Sequence, residues 1–279
     1  MMGSFKDAKQ RAGVRKAQKW LRERSHLEKS VLLVSGCVAL LVLLKIVIDD
    51  HDSLFLMGEM VHFVGIGFLG YKLVLEKNCT GLSLRSQELT AVFLGVRLYC
   101  SAMMEGDWHT LLDALTLAAT LWVVYTMRLT DLRLTYNRQM DVIETLQVLA
   151  PCAVIALIAH PSTSHAWINR VLWALCVYVE AVSVLPQLRM MQKAKVVERF
   201  TANYVFALGV ARFLSCAHWI LQIFDGQSYL ATAIGSGLWP VMVLLSEIVQ
   251  TFILADFCYY YVISMAEGGG VVRLPAGVV

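Results

Sequence analysis

Hydrophobic residues make up 58% and charged residues 16% of this 279-residue chain, and its mean hydropathy is +0.61. That balance excludes an ordinary soluble domain and leaves no length for a large soluble appendage beside packed membrane helices. The formal net charge is +3, and much of the basic excess sits in the N-terminal arm "FKDAKQRAGVRKAQKWLRERSHLEK". An arm of this kind beside a spanning helix reads as a positive-inside determinant that also touches anionic lipid, rather than as a nucleic-acid surface.

Apolar runs near the ~20 residues that cross a bilayer recur eight times: Ser30 to Ile48, Leu54 to Leu75, Glu88 to Met104, Trp108 to Leu129, Asp141 to His160, Ala166 to Leu188, Asn203 to Phe224 and Leu238 to Val262. The first run is of spanning length and ends in "DDHD" rather than in small residues. It therefore reads as a retained anchor and not as a cleaved signal peptide. Charges in the connections alternate: Lys77 and Arg85 follow the second run, Arg133 and Arg138 the fourth, and "RMMQKAKVVER" the sixth, while "DDHD", "EGD", "HPSTSH" and "DGQSY" lack Lys and Arg. The alternation predicts that both termini are cytosolic. The sixth run ends in "SVLPQL", where Pro186 cannot continue the backbone ladder and is expected, with Gln187, to form a hinge.

Six of the seven cysteines fall inside apolar runs, where they act as small hydrophobes. Neither a disulfide framework nor a metal-ligand spacing follows, and no cofactor is implied. "LGVRLYC" (Leu94 to Cys100) and "LGVARFLSC" (Leu208 to Cys216) share Leu-Gly-Val, then Arg, then Cys, in helices that the charge pattern runs in the same direction. Parallel repeats of this kind build sites between two halves of a membrane bundle. They would set Arg97 and Arg212 across one cavity.

An arginine deep in a membrane helix is costly unless it faces a cavity or the bundle interior and finds a partner. Two arginines aimed at one cavity make an anion site. On the helical period Arg212, Ser215, Trp219 and Gln222 share a face, which suits a peptide-like polar ligand. The alternative is that Arg212 pairs with a buried acid, Glu180 or Glu247, to fix helix packing. Glu59, His62, Asp113 and Asp256 also lie at membrane depth. An unperturbed imidazole titrates near ~6.5, so the charge of His62 could follow lumenal pH.

"LRSQELTAVFLGVRLY", "CVYVEAVSVLPQL", "NYVFALGVARFL" and "ADFCYYYV", in this order and spacing, resemble the ER lumen protein-retaining receptors, the KDEL or HDEL receptor family. The similarity extends from about Leu54 to Ala276. The extra first helix, the basic arm and the "GVV" end resemble a longer, receptor-related plant branch. The resemblance implies an all-α integral membrane protein, a SWEET- or PQ-loop-like seven-helix bundle over 54–264. One extra transmembrane helix (30–48) and a cytosolic arm (1–29) precede it, and a cytosolic tail (265–279) follows. It also implies capture of the C-terminal tetrapeptide of escaped ER proteins in the acidic Golgi and its release in the ER.

Position by position, Arg97 matches the arginine that takes the cargo carboxylate, a contact suited to a planar fork. Glu180 and Arg212 match pocket charges, Trp219 an aromatic wall, His62 the pH-linked histidine and Asp256 a buried acid of the last helix, with Glu59 as a further buried acid. Four pocket positions depart: Cys100 stands for an aspartate, Ser215 for a tyrosine, His218 for an asparagine and Gln222 for an arginine. Phe55 replaces another arginine. Each lost charge partner should cost on the order of 2 kcal/mol, so altered ligand specificity is expected. Vesicle coat proteins are the cytosolic partners the family implies, yet the tail "MAEGGGVVRLPAGVV" carries only Arg273 where receptors have a lysine cluster. The expectation is a receptor of the ER and Golgi membranes. A small-solute transporter and a non-binding trafficking adaptor stand as alternatives, and an enzyme is the least favoured because no catalytic constellation is recognisable.

Overall fold

The computed structural model describes residues 52–104, 108–224, 238–266 and 271–274, together with residues 35, 39, 42, 43 and 45. Those five isolated residues are helical and exposed. The rest of the expected anchor, the 1–29 arm and most of the 265–279 tail lie outside the described residues.

The described chain is helical almost throughout: α1 (Asp52–Leu75), α2 (Leu84–Met104), α3 (Trp108–Leu129), a short 3-10 helix (Asp131–Thr135), α4 (Thr145–Ile158), α5 (Trp167–Val182), α6 (Leu185–Ala194), β1 (Val196–Val197), α7 (Arg199–Phe224), α8 (Trp239–Ala266) and β2 (Val272–Arg273). Five stretches are long and apolar enough to cross a membrane: Ser53–Leu75, Trp108–Leu129, Trp167–Ala194, Arg199–Leu221 and Trp239–Met265. Helix α2 has the length but carries too many polar residues to join them, and α4 spans only about 21 Å at ~1.5 Å per residue.

The expected run from Asp141 to His160 is thus shortened at both ends, for reasons the loop makes plain. Asp141 is a junction: its carboxylate accepts from Ser83 Oγ (2.8 Å), Arg85 N (3.1 Å) and Tyr136 OH (2.7 Å). It thereby ties the entry of α2 to the loop after the 3-10 helix. At the other end His160 precedes Pro161, which disfavours the helical region for it. Ser83 completes the α2 cap, its Oγ accepting from Ser86 N at 3.0 Å, as an N-cap serine should.

Helix α1 packs along α7, α2 lies against α3 and α5, and α8 closes on α7. Small residues let α1 approach α7: a Cβ on Gly58 would sit 3.1 Å from the Ala211 carbonyl oxygen, and one on Gly65 3.1 Å from Ala207 Cβ. Close backbone approach of this kind is how membrane helices gain packing without a hydrophobic driving force.

The break expected at "SVLPQL" is present, with α5 ending at Val182 and Pro186 in the first turn of α6, where its missing N–H costs nothing. Gln187 is fully buried and clamps the break: its Oε1 accepts from Ser83 N and its Nε2 donates to Gly81 O, each at 2.8 Å.

At the same end of the bundle, Lys72 is fully buried and donates to Thr80 O (2.7 Å), Thr201 Oγ1 (3.1 Å) and the Glu198 carboxylate. Burial works against ionisation of Glu198, but a hydrogen bond from Glu76 and the Lys72 ammonium outweigh it and hold the carboxyl below its ordinary value. A carboxyl so depressed stabilises the fold above its unfolded pKa, and that contribution fades as pH falls through the folded value. Removing the two partners should be unequal. Glu198→Ala leaves a buried ammonium without its counter-ion and is expected to cost about 2–3 kcal/mol. Lys72→Met leaves only a carboxylate that is 41% exposed and solvated by water, at about 1 kcal/mol. Melting temperatures in detergent between about pH 4 and 7 check both the ranking and the loss of the acid limb in the Lys72 variant.

Asp256 is not the buried acid that was expected. It is exposed, because the packed face of α8 runs through Val243, Glu247, Gln250, Leu254 and Phe257. The carboxylate two positions beyond Leu254 turns outward, and the buried acid of the last helix is Glu247.

Candidate functional site

Within the bundle, six helices (α1, α2, α3, α5, α7 and α8) aim ionisable side chains at one another. Arg97 of α2 donates through Nε to Asp113 Oδ2 at 2.8 Å and through Nη2 to Asp113 Oδ1, a two-pronged fork, while its Nη1 reaches Glu180 Oε1 of α5 at 3.0 Å. Arg212 of α7 donates to that same Glu180 oxygen. Both guanidiniums lie 5.7 Å from the centre of the Phe93 ring, close enough for cation–π attraction. Glu59 of α1 sits 3.8 Å from Arg97 Nη2 through Oε1, and its Oε2 meets His109 Nδ1 at 2.8 Å. Glu247 of α8 accepts from Gln250 Nε2 at 2.6 Å. Fully paired geometry is what a low-dielectric site demands of its charges, and Arg97 meets it with its own acids.

Two small cavities open beside this cluster. One, of about 20 Å³, is lined by Phe55, Glu59, His62, Arg97, Arg212 and Ser215 among others. The second, of about 10 Å³, is lined by His62, Thr90, Glu180, Ser183, Arg212 and Gln250 among others. Each holds about one water. His62 belongs to both, is 4% exposed and packs over Phe93, with ring centres 6.2 Å apart. Its Nε2, Glu59 Oε1 and Gln250 Oε1 are buried without a hydrogen-bond partner. Unsatisfied buried polar atoms of this kind are rare in native proteins.

Sequence reasoning therefore finds much of the cluster. Arg97, Glu180, Arg212, Glu59, His62 and Ser215 come together, and Arg97 and Arg212 share one carboxylate. Of the two expectations for Arg212, the pairing with buried Glu180 is present. The arginines are already engaged, Arg97 by Asp113 and Glu180 and Arg212 by Glu180. Asp113 and His109 were not in the expected site. In the sequence Asp113 stands out only as an ionisable residue at membrane depth, because its partner Arg97 lies 16 residues earlier, across a helical hairpin.

Other expected residues lie beside the cluster rather than in it. Cys100 is buried with Sγ 4.0 Å from Asn169 O. His218 packs against Phe55, with ring centres 5.4 Å apart, and Trp219 stands edge-on to His218 at 5.3 Å. None of these three lines the two cavities. The side chain of Gln222 lies outside the described residues.

Comparison with known proteins completes this picture. Residues 78–222 match the family model described as ER lumen protein retaining receptor. An ER lumen protein-retaining receptor of Arabidopsis thaliana, receptor A, is 33% identical over 209 residues, covering 74% of this chain and 92% of that protein. A Caenorhabditis elegans protein of the same description is 32% identical and covers 78% of this chain and 96% of its own length. An Entamoeba histolytica receptor is 29% identical over 76% of this chain and 93% of that protein. With a family match over more than half of its length and relatives aligned almost end to end, this multi-pass helical membrane protein belongs to the ER lumen protein-retaining receptor family.

Proposed function

We propose that the protein is a receptor of the ER and Golgi membranes that binds C-terminal retention signals of lumenal proteins for Golgi-to-ER retrieval, with a specificity altered from that of K/HDEL readers. The observation that carries this is the Arg97–Glu180–Arg212 cluster set beside cavities at the centre of a receptor-family bundle. The planar fork of Arg97 suits a terminal carboxylate, and the neighbouring Ser215 and Glu59 offer polar contacts for the peptide behind it. Cys100, His218, Trp219 and Gln222 are assigned to the more distal peptide positions, and the bundle over 54–264 is the binding domain. Both termini are assigned to the cytosol, where the basic arm meets anionic lipid and the tail meets coat proteins. Pro186 and Gln187 are assigned to the hinge.

Acid should favour binding. His62 shares the site with Arg97, Arg212, Glu180, Glu59, His109, Asp113 and Glu247. This dependence is assigned to His62, because a proton gained by its imidazole would add positive charge beside the two arginines and favour an anionic terminus. Binding of peptides ending in HDEL or KDEL and of tail variants to the purified protein, at about pH 5.5 and 7.4, tests this. Acid-favoured binding lost in Arg97→Ala is the expected result. Failure of every peptide at both pH values would sink the reading.

A further inference from the structure

The Arg97 fork is already filled by a carboxylate. Asp113 meets Nε at 2.8 Å and closes on Nη2, the two-pronged arrangement that a ligand's terminal carboxylate would make. The fork lies beside a small cavity of about 20 Å³. Into the cluster point two groups that are more than nine-tenths buried and have an atom without a hydrogen bond, Glu59 Oε1, which lies 3.8 Å from Arg97 Nη2, and His62 Nε2. Gln250 Oε1, in the adjoining cavity, is unpartnered too. Glu59 and Gln250 present acceptors, so the site calls for donors. Arg97 alone already faces three carboxyl groups, those of Asp113, Glu180 and Glu59.

A ligand carboxylate that takes Arg97 must leave Asp113 without its counter-ion inside a desolvated site, and a buried charge stripped of its partner is strongly unfavourable. An acidic tail, with further carboxylates behind its terminus, worsens that imbalance. A ligand that brings its own cation corrects it. The terminal carboxylate takes Arg97 while a basic side chain close behind takes Asp113, with Glu59 within the same cluster. Resting on the reading of this site as a C-terminus receptor, we propose that Asp113 is its specificity determinant: the site exchanges ion pairs with its ligand and selects C-terminal peptides with a Lys or Arg in their last two residues over acidic tails.

The test is a binding titration on the full-length protein in detergent at one pH. It uses three peptides of equal length: a basic-ended peptide, the same peptide as its C-terminal amide, and an acid-ended HDEL peptide. On the wild type the basic-ended acid should bind at least ten-fold more tightly than either of the others. Asp113→Asn should tighten the HDEL peptide at least ten-fold and erase the preference. Equal or tighter binding of the HDEL peptide by the wild type overturns the proposal while leaving the receptor reading intact, as does an Asp113→Asn protein that binds with unchanged selectivity. If no peptide binds to either protein, or if binding survives Arg97→Gln, the receptor reading falls and this inference with it. Because the comparison of the three peptides needs only the wild type, a poorly folding Asp113 variant does not remove the decision.

Discussion

Glu180→Ala is expected to destabilise the bundle by about 3–5 kcal/mol, among the largest single-residue losses the structure contains. One oxygen of Glu180 accepts from both Arg97 Nη1 and Arg212 Nη1. Arg97 would keep the Asp113 fork, but Arg212 would lose the carboxylate it donates to and keep its position over the Phe93 ring. Arg212, 8% exposed, would then stand in the bundle without a hydrogen-bonded counter-ion. The cost is therefore assigned to Arg212, and this can be measured. Adding Arg212→Met to Glu180→Ala should recover a substantial part of the lost stability, with a coupling energy above about 1 kcal/mol in a double-mutant cycle read from thermal melts in detergent. Additive losses would mean that Arg212 finds another partner when Glu180 is gone.

Gly58→Leu should act on both the fold and the site. A Cβ at this position meets the Ala211 carbonyl oxygen at 3.1 Å and Leu214 Cβ at 3.6 Å, and backbone oxygen on a packed helix cannot swing aside. The leucine must either prise α1 from α7 or fill the cavity that Gly58 lines with Phe55, Glu59 and Ser215. Overpacking of this kind costs about 1–3 kcal/mol, and either response closes the space beside Arg97. Peptide binding should fall at least 100-fold, a larger loss than the change in melting temperature would explain. Gly67 supplies the control, because a Cβ there meets nothing within 4 Å. Gly67→Ala should be neutral or stabilise by up to about 1 kcal/mol through helix propensity alone, with binding unchanged.

How much of this was legible in the sequence depends on which kind of information a residue carries. Hydropathy and loop charge located the helices, and membrane cost singled out Arg97, Glu180 and Arg212, because an arginine in an apolar run demands a partner wherever it sits. The azimuth of a helix was harder to read. Helix α8 is apolar on nearly every side, so nothing in "SEIVQTFILADFCYYY" said that Glu247 and Gln250 face inward and Asp256 outward. Asp113 was visible but not placed, because its partner lies on the neighbouring helix and spacing along one chain does not report contacts across a hairpin. The start of α4 was misread for a different reason. Asp141 looked like the edge of an apolar run, and only the three donors converging on it mark it as a loop anchor.

The polar character of α2 bears on how the protein enters the bilayer in the first place. This helix is not among the stretches apolar enough to be held by hydropathy alone, and an arginine near the middle of an inserting segment costs about 2.5–3.5 kcal/mol on insertion scales. Its neutralising carboxylate, Asp113, is 16 residues further on, in the next helix to be synthesised. Helix α2 is thus expected to enter the lipid together with α3, as a hairpin rather than one helix at a time. The Arg97–Asp113 pair at the site is then also the contact that favours inserting the two helices together.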